Sequence, residues 1–194
     1  MSSAIEQLRE LGFDLTDSVL EAIGNELQCD VNTLSLTTLL LGLGMGHYDY
    51  DTDQWTPRSS RVYAFDAEVY NIEKMYTLFL QGVQAIVPDI KITDIHEDLS
   101  KMTDEMDISS DPALPSVDGK RSVCFHCNNH PYSIELDSHG DWFNEAMFGF
   151  MDQVLAKEGC THKLYEFTAQ MQFVLLVYCS DSDAEKLAPL IEAF

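Results

Sequence analysis

Positive charge is what this sequence has least of. Eleven Lys and Arg stand against 33 Asp and Glu in 194 residues, a formal charge of -22. Phosphate-bearing surfaces are held by Lys and Arg, so this balance argues against unaided binding to nucleic acid or anionic lipid. Long hydrophobic runs are also missing. The greasiest stretch, Leu34 to Met45, is broken by Ser35, Thr37, Thr38 and two glycines, and is shorter than the about 20 apolar residues a membrane span needs. The first ten residues lack a basic stretch followed by an apolar one and do not read as a secretory signal. Cysteine is sparse and odd in number, at Cys29, Cys124, Cys127, Cys160 and Cys179. Without a signal, that pattern favours reduced thiols and a cytoplasmic location.

What is present is enough apolar material to fold. Hydrophobic residues make up 45% of the chain and aromatics 10%, which separates it from disordered acidic tails. Residues 1–46 read as a short helical subdomain capping the rest, with Ile5, Leu8 and Leu11, then Leu15, Val19 and Ile23, then Leu36, Leu39 and Leu40 at helical spacing. The glycines at 42, 44 and 46 end it. Residues 47–60 read as a polar, acidic and aromatic loop.

Beyond residue 60 the expected order is β-α-β-β-β-α-β-β-α. The helix over 71–87 carries Ile72, Met75, Tyr76, Phe79, Leu80, Val83 and Ile86 in one stripe, and Pro88 stops it. Strands are expected at 61–65, 90–95, 121–127, 132–136, 164–168 and 173–179. The last lacks polar alternation and is expected to be covered on both faces. Asp141 is expected to open a helix stopped at Gly159, and Ser182 to Glu185 to form a capping box for the last helix. Residues 97–119, rich in acids and containing Pro112 and Pro115, read as a long acidic loop. The fold class is therefore α+β: a largely antiparallel sheet of about six strands in residues 47–194, with packed helices, preceded by the helical subdomain.

No motif fixes a reaction. Cys124, His126, Cys127 and His130 collect soft ligands within seven residues, but on a strand Cys124 and Cys127 point to opposite faces and cannot converge on zinc without a bulge. Asp49, Asp51 and Asp53 begin like a calcium loop, yet Gln54 and Ser60 stand where Gly and Glu are required. Gly42-Leu-Gly44-Met-Gly46 lacks a preceding strand and a third glycine at 47. His96-Glu97 lacks the second His of a zinc protease at position 100. No cofactor is implied.

One likeness rests on named residues. Phe65-Asp-Ala-Glu-Val69, Met75-Tyr76, Phe79, Val83 and Ile86, then Asp141-Trp-Phe143 and the hairpin around Gln172, together resemble a group of small, uncharacterised acidic bacterial proteins. The likeness spans residues 61–194. In size, acidity and layout such proteins are similar to immunity proteins of polymorphic toxin systems, and the resemblance implies binding and blocking of a cognate toxin.

The expectation is a non-enzymatic module for a basic protein partner. Its contact residues are taken as Asp49, Tyr50, Asp51, Asp53 and Trp55 in one segment and Asp94, Glu97, Asp98, Asp104, Glu105 and Asp107 in another. Carboxylates steer a cationic partner, and Tyr50 and Trp55 anchor it. Two other classes compete: a hydrolase-type enzyme assembled from His96, His126, His130 and Asp141, and an oligomeric subunit docked through the 1–46 helices. An enzyme would gather at least two of these histidines and a carboxylate in one pocket.

Overall fold

Each of the first three helices is opened by a hydroxyl that satisfies an otherwise bare backbone N–H. The computed structural model of the chain describes residues 3–49, 54–105, 116–168 and 172–191. Ser3 and Glu6 form a reciprocal capping box at α1 (Ala4–Glu10). Thr16 caps α2 (Asp17–Leu27) and Ser35 caps α3 (Leu36–Gly44). All three are too short to persist alone and are held by one apolar cluster. It joins Ile5, Leu8, Leu20, Ile23, Leu39, Leu40 and Leu43 to Val62, Leu175, Val177 and Leu187.

Eight strands and six helices are present among the described residues, the strands forming three antiparallel sheets, so the fold is mixed α+β. After residue 60 the elements run β3 (Val62–Asp66), α4 (Met75–Ile86), β4 (Ile92–Glu105), β5 (Ser116–Cys127), β6 (His130–His139), α5 (Ala146–Lys157), β7 (Lys163–Thr168), β8 (Phe173–Cys179) and α6 (Asp181–Leu187). That is the order the apolar periodicity dictates. Instead of one sheet of about six strands there are a β3-β8-β7 sheet, a β4-β5-β6 sheet and a small hairpin.

The chain divides into two compact units. One comprises residues 1–65, 85–87 and 162–194, and the other residues 66–84 and 88–161. The N-terminal helices share a unit with β3, β7 and β8. In that unit β8 is the middle strand and Val174 to Cys179 are all buried, so both its faces are covered. In the other unit Met75, Phe79, Val83, Val123, Phe125, Phe143, Met147 and Met151 are buried. The Phe79, Phe143 and Phe148 rings lie 4.9 to 5.8 Å apart.

Several local expectations are corrected. Residues 47–60 are not simply a loop: β1 (His47–Asp49) pairs with β2 (Gln54–Thr56), placing Tyr48 opposite Trp55. The stretch 97–119 is not a loop throughout, because β4 continues to Glu105 and β5 begins at Ser116; residues 106–115 lie outside the described part. Asp141 does not open α5. Residues 141–143 run alongside 67–69, with Phe143 N–H donating to Ala67 O at 2.8 Å, and Asn144 Oδ1 accepts the N–H of Ala146 where the helix begins. The cap of α6 is Ser180, whose hydroxyl accepts the N–H of Asp183, so the box expected at Ser182 is displaced by two residues. Gly159, with φ of 79°, does close α5.

Candidate protein-binding surface

Scarce cations are spent inside the chain. Arg9 pairs with Asp17, Arg58 with Glu26, Arg61 with Asp183, Lys101 and Lys120 with Glu135, Arg121 with Glu97, Lys163 with Asp181 and Lys186 with Asp183. Among the described residues, at least eight of the chain's eleven basic side chains are thus already beside a carboxylate of their own chain. The surplus carboxylates face water. In the first thirty residues Glu6, Glu10, Asp14, Glu21 and Asp30 are exposed and outside those pairs, and Arg9 is the one Lys or Arg in that stretch. The backbone and side-chain N–H groups of Asn32 hold Asp30 below the usual carboxylate range, which keeps it ionised.

The expected contact residues separate into those that face solvent and those that do not. Asp94 is exposed in β4, where it adopts a left-handed conformation with φ of 54°. Asp98 is half-buried; its carboxylate accepts the Ser100 N–H at 2.9 Å and is lowered by that bond. Asp49 is half-buried in β1. Asp104 and Glu105 are the last residues of β4, described along the backbone only. Tyr50, Asp51, Asp53 and Asp107 lie outside the described residues. Asp49 and Trp55 belong to the first unit, whereas Asp94 to Glu105 belong to the second.

Glu97 is a correction. Its side chain is 3% exposed and lies 2.8 Å from Nη1 of Arg121, which is fully buried. It also accepts from the N–H and hydroxyl of Thr77, at 2.7 and 2.8 Å. Such a carboxylate is saturated by its own protein and is not offered to a partner. The cause is a β-bulge. Ile92 lies opposite the buried Cys127, but Asp94 and Ile95 together face the single Phe125, and this slip turns Glu97 inward opposite Val123.

Trp55 also serves the fold. Its indole N–H donates to Met45 O at 2.6 Å, and its ring meets Tyr63 edge-on at 5.5 Å. The other tryptophan, Trp142, is 49% exposed. Sequence alone does not distinguish the two, because Trp55 sits in the more acidic segment and Trp142 beside a helix-like pattern.

The histidines do not converge. His126 Nδ1 lies 3.2 Å from Asp94 Oδ2, at ion-pair distance but not aligned as a hydrogen bond. Both line a pocket of about 260 Å³ with Cys124, Pro131 and Tyr132, and neither His96 nor His130 lines it. His130 is on the opposite side of the alternation, 3.0 Å from Glu158, which also accepts the Tyr132 hydroxyl. Cys124 is exposed and Cys127 buried, as strand alternation requires, and burial pushes the Cys127 thiol up to about 11. No group of three or more His, Cys, Asp or Glu side chains among the described residues is placed to hold a metal ion. No described helix is long and apolar enough to cross a membrane.

No protein-family profile, curated protein or solved structure matches the chain.

Proposed function

We propose that this chain is a non-enzymatic binding module whose acidic surface engages a basic protein, acting as an immunity protein that covers the cationic cleft of a cognate toxin in the cytoplasm. One observation carries the reading. With most of its Lys and Arg committed to internal ion pairs, the chain keeps a large excess of surface carboxylates that only an external cation can neutralise. Solubility alone is served by a charge of magnitude about 2–8 on a small domain, far less than is present here. Exposed carboxylates on α1 and α2 would occupy positions that the partner otherwise gives to phosphate groups.

The test is capture from lysate of the native cell at low salt, followed by release with salt and identification of what was held. A single basic protein, recovered in proportion to the bait and inactivated by it, supports the reading. Recovery of acidic or neutral proteins alone, or turnover of a small molecule lost on His126→Ala, overturns it.

A further inference from the structure

Two large aromatic side chains project from the second unit with little covering them. Tyr70 is fully exposed, at 102%, and Trp142 is 49% exposed. They stand on neighbouring segments. Val69 N–H donates to Asp141 O at 2.7 Å and Phe143 N–H to Ala67 O at 2.8 Å, so Glu68 and Trp142 are directly opposite in an antiparallel pair. This is the close kind of pair, whose two side chains share one face. Tyr70 follows Glu68 by two residues. Within three positions of either ring the sequence holds four carboxylates, Glu68, Glu73, Asp141 and Glu145, and no Lys or Arg.

We propose that Tyr70 and Trp142, with Glu68 paired opposite Trp142 and with Glu73, Asp141 and Glu145 close to them in sequence, form the docking point for an Arg- or Lys-bearing segment of a partner polypeptide. This rests on the reading of the chain as a binder of basic proteins and adds where the partner is gripped. Indole and phenol faces attract cations, and a tryptophan face does so best. Trp and Tyr bury large area at low entropic cost and dominate binding hot spots. The carboxylates select the sign of the occupant. A second copy of the chain is the wrong occupant, since association would bring together two bodies each of formal charge -22.

The experiment titrates the full chain with a nona-arginine peptide at low salt by calorimetry, comparing wild type with Trp142→Ala, Tyr70→Ala and the charge control Glu185→Gln, an exposed carboxylate on α6. Each aromatic variant is expected to lose about tenfold in affinity, and the control less than about threefold. Tyr70 is wholly outside the packed core, so its variant reads binding without unfolding; circular dichroism confirms that Trp142→Ala is folded. Wild-type binding that both aromatic variants retain in full overturns this docking point and leaves the general reading standing. Failure of the wild type to bind at all overturns both. A wild-type dimer that Trp142→Ala dissociates, seen by sedimentation, overturns the choice of occupant.

Discussion

Arg121 and Glu97 face each other across the β4–β5 pair, with Nη1 donating to Oε2 at 2.8 Å and both side chains withdrawn from solvent. Nη1 also donates to Ile72 O, and the guanidinium lies 5.5 Å from the centre of the Tyr76 ring. Nε and Nη2 have no hydrogen-bond partner among the described residues. Arg121 therefore depends on Glu97 for its neutralisation. Replacing Glu97 by Gln is expected to cost about 3–5 kcal/mol, because it strands a buried charge. Asp98→Asn, one residue along and partly in water, is expected to leave the stability nearly unchanged. Urea midpoints of the two variants check this; equal midpoints would show that the pair is not needed.

A close approach of backbones holds α3 to β3. A Cβ built on Gly44 would fall 2.7 Å from Ala64 N and 2.9 Å from Tyr63 C, both backbone atoms with no room to give. Gly44→Ala is expected to destabilise by about 1–3 kcal/mol despite alanine's better helix propensity. Gly149→Ala, where nothing lies within 4 Å, is the matched control and is expected to be neutral or stabilising. Thermal unfolding of the two variants distinguishes packing from propensity.

Three tyrosines resist ionisation. Burial raises Tyr63 and Tyr76, and burial together with the Glu158 carboxylate pushes Tyr132 up to about 12. These three are expected to lag behind an ordinary phenol in an absorbance titration of the native protein, and to titrate as one once it is unfolded. The stability they contribute is complete below about pH 10, the unfolded phenol value, and is lost as pH rises through the folded values. A native titration in which these three ionise at about pH 10 would contradict this placement.

Acid acts on the other member of that cluster. The Tyr132 hydroxyl, and then the His130 ring, hold Glu158 below the usual carboxylate range against the opposing effect of burial. Its contribution to stability is present above about pH 4.3 and is lost as pH falls through its folded value. Glu158→Gln is expected to be less stable than wild type at pH 7 and to lose less on acidification. Parallel stability curves from pH 7 to pH 3 would show that Glu158 does not titrate as described.

Most of the architecture is legible in apolar spacing. The 3.6-residue stripe of α4 and the unbroken apolar run of β8 report burial directly, and Pro88 and Gly159 mark the stops of α4 and α5 at the expected places. What the sequence hides is produced by register. Read as a plain alternating strand from Ile92, β4 would put Glu97 outside; the bulge at Asp94 and Ile95 reverses that, and nothing but the left-handed tolerance of Asp hints at it. Acidity likewise marks residues 97–105 as a loop, although long-range pairing with β5 holds them as strand. The exposed Trp142 is masked for a similar reason. Its neighbours resemble a helix start, while it pairs with both nearby His139 and Glu68, which is distant in sequence.

The most direct test of the surface as a docking face for a cation is the association rate with the captured partner as salt is raised from about 20 mM to about 500 mM. A face crowded with unneutralised carboxylates predicts a rate that falls by about tenfold or more over that range, with the dissociation rate changing far less. An association rate indifferent to salt would contradict the account.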